Sequence, residues 1–405
     1  MATFKTISSA DIKTTRSTLN QLIDFVEEDI SGSATRKKFK VFVTGAASYD
    51  AIVGSVTSSI YQTIYDQDFS LQTSNELFDL TMGLFKTSDT VVSAQTGTDI
   101  NGKLLFTSAS LMMREKVSIY NQFAQELLGD KSSQFAAPFG SATTSDKIDE
   151  ALFVNFKRLF VRDGIKRETF AMRMYRSGSS ANTDEDGALT ANGQNNLWVY
   201  SNSGSMILTD VGAASSIERS ATGGDVGNIV NSSNTSETLG LIFYQRGIAV
   251  LDIGRITSGS QLMSGSIEAV GNAASAVIFK DKLIPNFLTS ASMDQCIDHL
   301  SSARFGKGSQ TFLTFQNNTQ INSTLIFCRA TADEFNFSSN PTYTDADGRV
   351  IVIDENEQGT QKSFSFVSTI GLYDANEQLL AVAKLSRPVE KNDEKDLTFR
   401  VRLDF

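Results

Sequence analysis

Residues 146–161 read Asp-Lys-Ile-Asp-Glu-Ala-Leu-Phe-Val-Asn-Phe-Lys-Arg-Leu-Phe-Val, and the fold class turns on them. Ile148, Leu152, Phe156, Leu159 and Phe160 recur near helical spacing behind Thr143-x-x-Asp146, so the stretch predicts an amphipathic helix. Two more segments extend that reading. Residues 8–30 place Leu19, Leu22, Ile23, Val26 and Ile30 on one stripe behind Ser8 or Ser9, which predicts a second helix. Residues 109–128 align Met112, Ile119, Phe123 and Leu127 ahead of a C-capping Gly129, which predicts a third. Strands are expected between them: Lys38–Val43, short runs from Ile60 to Phe85 broken at Asp66-Gln67-Asp68 and Ser74-Asn75, and Arg167–Arg176 with Phe170, Met172 and Met174 alternating. The expectation for residues 1–176 is an α+β region with several helices on a β-sheet.

Further along, residues 177–196 are Ser, Asn, Asp and Gly with almost nothing apolar, which predicts a surface loop. Leu197–Val199 with Met206–Leu208, and Leu239–Tyr244 with Gly247–Ile253, predict two hairpins, the second turning at Gln245-Arg246. With a short helix over Met293–Ser302, residues 177–310 form a β-rich middle region with polar loops. Residues 311–405 predict a small antiparallel β-sandwich-like module. Its strands are Thr311–Phe315, Ser323–Ala330, Val350–Ile353, Phe364–Asp374, Gln378–Leu385 and Leu397–Leu403, with turns at Asn317-Asn318, Asp347-Gly348 and Ala375-Asn376. In the closing strand Leu397, Phe399, Val401, Leu403 and Phe405 alternate with Thr398, Arg400, Arg402 and Asp404, the two-residue period of a half-buried strand.

Composition narrows the function. The 405 residues are 40% hydrophobic and 20% charged, enough to bury a core in two or three domains, and only 4 prolines stand against 28 glycines and 28 phenylalanines, which suits strands and turns. Lys and Arg total 36 against 46 Asp and Glu; the net charge of −10 disfavours bulk or specific nucleic-acid binding. A single histidine, His299, removes most general-base triads and His-ligated zinc sites. Cys296 and His299 are three apart but lack further soft ligands, and with Cys328 the cysteines allow at most one disulfide. Asp184-x-Asp186-Gly187 and Asp345-x-Asp347-Gly348 place glycine too early for a calcium loop, and Gly306-Lys307-Gly308-Ser309 lacks the phosphate-loop spacer. The adjacent acids Glu27-Glu28 and Asp149-Glu150 read as solvated helix faces, although glycosidase chemistry needs only two carboxylates. No catalytic, cofactor or metal site is expected. Met1–Arg16 lacks the apolar stretch of a signal peptide and no run approaches a membrane span, so the chain is expected to be made without Sec-type export.

What remains is a local excess of positive charge on an acidic protein: Arg36, Lys37 and Lys38, then Lys157, Arg158, Arg162, Lys166 and Arg167, with Arg400 and Arg402 on the closing strand. Such clusters suit docking of an acidic neighbour, and these residues are the candidate interaction site.

Three segments carry a resemblance. Leu241-Ile-Phe-Tyr-Gln-Arg-Gly-Ile-Ala-Val-Leu-Asp252 is the first. The second is Ile321-Asn-Ser-Thr-Leu-Ile-Phe-Cys-Arg-Ala330 with Glu334-Phe-Asn-Phe-Ser-Ser-Asn-Pro-Thr-Tyr343. The third joins Thr369-Ile-Gly-Leu-Tyr-Asp374, Leu379-Leu-Ala-Val-Ala-Lys-Leu385 and Arg400-Val-Arg-Leu-Asp-Phe405. Together they resemble virion structural proteins of contractile-tailed phages, particularly myoviruses of marine cyanobacteria, and the last resembles a module of tail-fibre and appendage proteins. Ala2-Thr-Phe-Lys-Thr-Ile-Ser-Ser9 and Leu111-Met-Met-Arg-Glu-Lys116 fit the same setting. The resemblance implies a non-enzymatic subunit of tail, baseplate or neck, made in the host cytoplasm and carried in the virion. Its partners would be other virion proteins and multiple copies in a symmetric assembly, with no membrane. The alternative is an appendage or adhesin that binds host-surface glycan, with or without hydrolysing it.

Overall fold

The computed structural model describes residues 4–26, 29–30, 39–40, 57–58, 60–67, 71–175, 205–215, 218–257, 288–289, 291–293, 296–297, 300–301, 312–338, 342–344, 346–347 and 364–404. A 3-10 turn at Ser9–Asp11, capped by the Ser8 hydroxyl, leads into β1 (Ile12–Phe25). Next come the short antiparallel pair β2 (Phe39–Lys40) and β3 (Thr57–Ser58), then β4 (Gln62–Tyr65) and β5 (Glu76–Leu84). Helix α1 (Asp89–Ala94), the hairpin of β6 (Gln95–Thr98) and β7 (Leu104–Phe106), and α2 (Met113–Leu128) follow. The middle of the chain holds β8 (Glu150–Phe156), α3 (Arg158–Val161), β9 (Gly164–Ile165), β10 (Ala171–Tyr175), β11 (Ser205–Thr209) and β12 (Glu218–Ser220). Then come β13 (Gly224–Asn231), β14 (Asn234–Phe243), β15 (Ile248–Asp252) and α4 (Ile253–Ile256). β16 (Phe312–Ala330), β17 (Ser365–Tyr373), β18 (Leu379–Lys391) and β19 (Leu397–Asp404) end it.

The expected α+β N-terminal region with several helices is overturned. The described residues are 48% strand and 16% helix, strand dominates from the N-terminus onward, and one large antiparallel sheet takes the place of a helix-covered sheet followed by a separate β region. Only α2 exceeds six residues among the α-helices of defined extent.

Two of the three helices expected within residues 1–176 are strands. Residues 150–156 form β8, which pairs with β15 on one side and β5 on the other. Ala151 and Phe153 enter the core on one face of the sheet, and Leu152, Val154 and Phe156 enter it on the other. A strand buried on both faces is apolar at every position, so its hydrophobic residues match a helical stripe as readily as any other period. Only Arg158–Val161 at its end turns helical. Residues 12–25 form β1, whose Thr14, Thr15 and Thr18 are β-branched and whose stripe residues Leu19 and Leu22 are exposed. Thr15, Arg16 and Gln21 bond Ser323, Asn322 and Asn317, in opposite chain order, as an antiparallel neighbour of β16 does. The expected turn at Asn317-Asn318 is absent too. β16 runs through it, with Asn317 and Asn318 paired to Ile165 and Gly164. α2 and its left-handed Gly129 stand as expected, as does the β14–β15 hairpin with Phe243 opposite Ile248.

The chain divides into two compact units, residues 20–319 and residues 1–19 with 320–405. These bounds differ from the expected 1–176, 177–310 and 311–405: the sheet continues across position 176 because β10 pairs with β11, and the N-terminal residues group with the C-terminal module. In the larger unit the strands run β16-β10-β11-β13-β14-β15-β8-β5-β4. One face carries Ala151, Phe153, Leu241, Phe243 and Val250 under Tyr120, Ala124 and Leu127 of α2. Gly83 and Ala151 are opposite each other in the ladder beneath that helix, and a Cβ on Gly83 would lie 2.7 Å from the Tyr120 backbone nitrogen. Tyr120 donates its hydroxyl to the Ile148 carbonyl and accepts from the Phe135 amide, which ties the 131–148 segment to the same face. The other face packs Leu80, Met82, Leu152, Val154 and Leu251 with Met293, Cys296, Ile297 and Leu300, whose described positions are helical.

In the smaller unit β19 pairs with β16 from Ser323↔Asp404 to Ala330↔Leu397, and β17 pairs with β18. The alternation of the closing strand holds: Val401 is buried and Leu397, Phe399 and Leu403 half-buried, while Thr398, Arg400, Arg402 and Asp404 are exposed. Ile326, Leu372 and Val401 centre a small core joined by Ile7, Ile370, Ala381, Ala383 and Leu403. Arg329 bonds Asp11 at 2.7 Å and Lys5 pairs with Glu334, so the N-terminal segment is tied in by charge as well as by Ile7.

Candidate interaction surface

Arg36, Lys37 and Lys38 lie outside the described residues, as do His299, Asp184–Gly187 and Gly306–Ser309. The second basic group, at the end of β8 and the turns after it, is largely engaged within the chain. Lys157 bridges Asp79 at 2.8 Å and Glu76 at 3.0 Å. Burial works to lower its pKa, but the hydrogen bonds and charges of these two carboxylates outweigh it and hold the ammonium above its ordinary value. Arg158 lies 3.5 Å from Asp163, and Lys166 donates to the Gln316 side chain at 3.1 Å. Arg167 bridges Asp225 at 2.9 Å and stacks 5.7 Å above the Tyr244 ring. Arg162 is exposed in a left-handed turn at φ 60°. Of the third group, Arg402 bonds Asp404 at 2.7 Å and Arg400 projects beside it on the exposed face of β19. A charge already neutralised by a neighbour contributes less to a partner, so this set is weaker as a docking patch than its sequence suggests.

Sequence reasoning passed over the buried Asp210, Lys116 and Asp252. Asp210, with no exposed surface, accepts from the Tyr244 hydroxyl at 2.8 Å and from the Glu168 and Phe170 amides at 2.8 and 3.1 Å. Burial raises its pKa, and these donors oppose the rise. Lys116, equally buried, donates to the Leu288 and Ala291 carbonyls at 2.5 and 2.6 Å, and burial lowers its pKa. Its position was a legible signal: Lys116 falls on the same stripe of α2 as Met113, Tyr120 and Leu127. Glu150, expected on a solvated helix, sits at the start of β8 and accepts from the Thr90 hydroxyl at 2.8 Å, with burial the main cause of its raised pKa. Asp252 is raised mainly by burial and bridges Arg255 at 3.2 Å. The charges of Asp149 and Asp252 add to the rise at Glu150, and that of Asp149 to the rise at Asp252, while Thr90 and Arg255 supply the opposing hydrogen bond and cation. Among the described residues no group of three or more His, Cys, Asp or Glu is placed to hold a metal ion, and no helix is long and apolar enough to cross a membrane.

The most open apolar surface of the smaller unit is the β17–β18 hairpin. Ile370, Leu372, Ala381 and Ala383 turn toward the Ile326–Val401 core. On and around the opposite side, Phe366, Tyr373, Leu379, Leu380 and Val382 are 59, 45, 53, 70 and 52% exposed, the last four grouped at the turn end of the hairpin and Phe366 at its other end. Gly371 makes room for it: a Cβ there would lie 2.7 Å from Tyr373 Cε2 and 3.3 Å from Leu379 Cδ1, so both side chains lie over the bare backbone. The Phe4 ring meets Tyr373 edge-on at 4.9 Å and is itself half exposed. The hairpin is a separate two-stranded sheet, so among the described residues β17 has no strand on its other edge. No protein-family model, curated protein or solved structure matches the chain.

Proposed function

We propose that the chain is a structural subunit of a contractile-tailed phage virion, in the tail or baseplate, that holds neighbouring subunits in register through protein–protein interfaces. The observation that carries this reading is the β17–β18 hairpin, an open two-stranded sheet with five large apolar side chains in water. Apolar patches with polar surroundings and unpaired strand edges are the two features by which β-proteins recruit partners. The likeness of Thr369–Asp374, Leu379–Leu385 and Arg400–Phe405 to virion proteins falls on the same unit. The role is mechanical: apolar side chains supply the buried area and backbone edges fix the register. Cross-linking mass spectrometry on purified phage particles tests this. Cross-links from Lys384 to other chains are expected. Absence of the protein from intact particles, or specific binding of the isolated chain to host-surface glycan, would replace this reading with that of an unattached or glycan-binding protein.

A further inference from the structure

Residues 4–19 lie on the outside of the smaller unit. From Phe4 to Leu22 no residue is buried, and Ile7 and Asp11 alone are half-buried. The segment is tied down by the Lys5–Glu334 and Asp11–Arg329 ion pairs, by Ile7 against the Ile326–Val401 core, by Phe4 on Tyr373, and by β1 alongside β16, where Arg16 bonds Asn322 at 3.2 Å. Exposed ion pairs are weak and screened by salt, and a segment with few buried apolar contacts opens at a lower free energy than the sheet it covers. β16 keeps β19 on its other edge from Ser323 to Ala330, with Ile326 and Val401 buried between them, so the sheet does not depend on this arm. The seat beneath it is specific. Glu334 takes a cation, the Ile326–Leu372–Val401 cluster takes an aliphatic side chain, and Arg329 takes a carboxylate. The Ser8-capped turn at Ser9–Asp11 fixes the spacing between the last two.

We propose that residues 4–19 are an exchangeable arm: the segment lifts from β16 of its own chain, and the seat it leaves accepts residues 4–19 of a second copy. The occupant is chosen by the seat itself. A strand of arbitrary sequence would leave Arg329 and Glu334 unpaired and the Ile7 position unfilled, whereas the same segment of another copy restores every one of these contacts. Exchange therefore conserves the interface, and its cost is confined to the join between arm and body. That join falls at Leu19–Asn20, where the two compact units divide, and Gln21 beyond it stays bonded to Asn317 of the larger unit. The inference rests on the subunit reading above for its supply of neighbours: in an assembly of many copies an adjacent arm is held at high local concentration and competes with the chain's own.

Binding of a synthetic peptide of residues 4–19, labelled at its C-terminus, to the full chain tests the inference by fluorescence anisotropy. Asp11→Arg sets two guanidinium groups against each other and loosens the chain's own arm, so this variant is expected to bind the wild-type peptide about tenfold tighter than the unaltered chain does. Arg329→Asp is expected to prefer a peptide carrying Asp11→Arg over the wild-type peptide by about the same factor, a reversal that misfolding or non-specific binding cannot produce. In the unaltered chain the amides of residues 12–19 are expected to exchange at least about tenfold faster than those of β19. Arm amides as slow as those of β19, no binding of the wild-type peptide by Asp11→Arg, or a preference that does not reverse would each overturn the exchange. With the protein still present in purified particles, such a failure leaves the subunit reading in place; the reversal together with absence from particles would keep the exchange and remove that reading.

Discussion

Removing one oxygen from Tyr244 probes Asp210, a carboxylate of the larger unit with no exposed surface. In Tyr244→Phe the ring stays beneath Arg167, but Asp210 loses the 2.8 Å hydroxyl bond and keeps only the Glu168 and Phe170 amides. A hydrogen bond to a buried ionised group is worth about 1.5–3 kcal/mol, so the folded-to-unfolded ratio should fall roughly ten- to hundredfold near neutral pH. The pH dependence follows from the direction of the shift. Burial raises the Asp210 pKa in the fold, so the native state holds a proton that the unfolded chain has released over the window between the ordinary carboxylate value and the raised one. The contribution of Asp210 is therefore fully present below the unfolded value and is lost as pH rises through the folded one. The Tyr244 hydroxyl lowers that pKa, so the variant shifts it further up and loses more stability on the way to neutrality. Denaturant unfolding of both proteins from neutral pH down through the carboxylate range should show a deficit that shrinks on acidification. A deficit that is the same at every pH, or none at all, refutes the reasoning.

Gly83→Ala should cost about 1–3 kcal/mol, because the new methyl meets the Tyr120 backbone and helix and strand must separate; thermal unfolding reads the loss, and an unchanged midpoint counts against the close approach. Lys116→Met should leave the Leu288 and Ala291 carbonyls without their buried donor at about 1–3 kcal/mol each, partly offset by relief of the ammonium's desolvation, and faster amide exchange in α2 and at residues 288–301 is the expected sign. Because burial lowers the Lys116 pKa, wild-type stability should rise with pH between the lowered and the ordinary lysine value, a rise the variant lacks. Val401→Ala should destabilise the smaller unit by about 1–3 kcal/mol through a cavity beside Ile326 and Leu372, with exchange protection lost in β19 and retained in α2.

The stripe and glycine cap of α2 and the Gln245-Arg246 hairpin are legible in the sequence because there the local pattern and the local hydrogen bonds agree, and the closing strand is legible because its one buried face imposes a strict two-residue period. Tertiary structure alone decided β8 and β1. Ala151–Val154 is apolar at every position because β5 and β15 flank it and both faces are covered, and that company is chosen by residues about 70 positions before it and 100 after it in sequence. The stripe of β1 predicted a helix because Leu19, Leu22 and Ile23 have helical spacing, yet its backbone groups are claimed by β16, some 300 residues away. Lys157 and Arg167 turn from patch to ion pair for a related reason: side-chain charge is read from sequence, but Asp79 and Asp225, which neutralise them, arrive only when segments distant in the chain lie side by side, whereas the partner of Arg402 is Asp404 of its own strand.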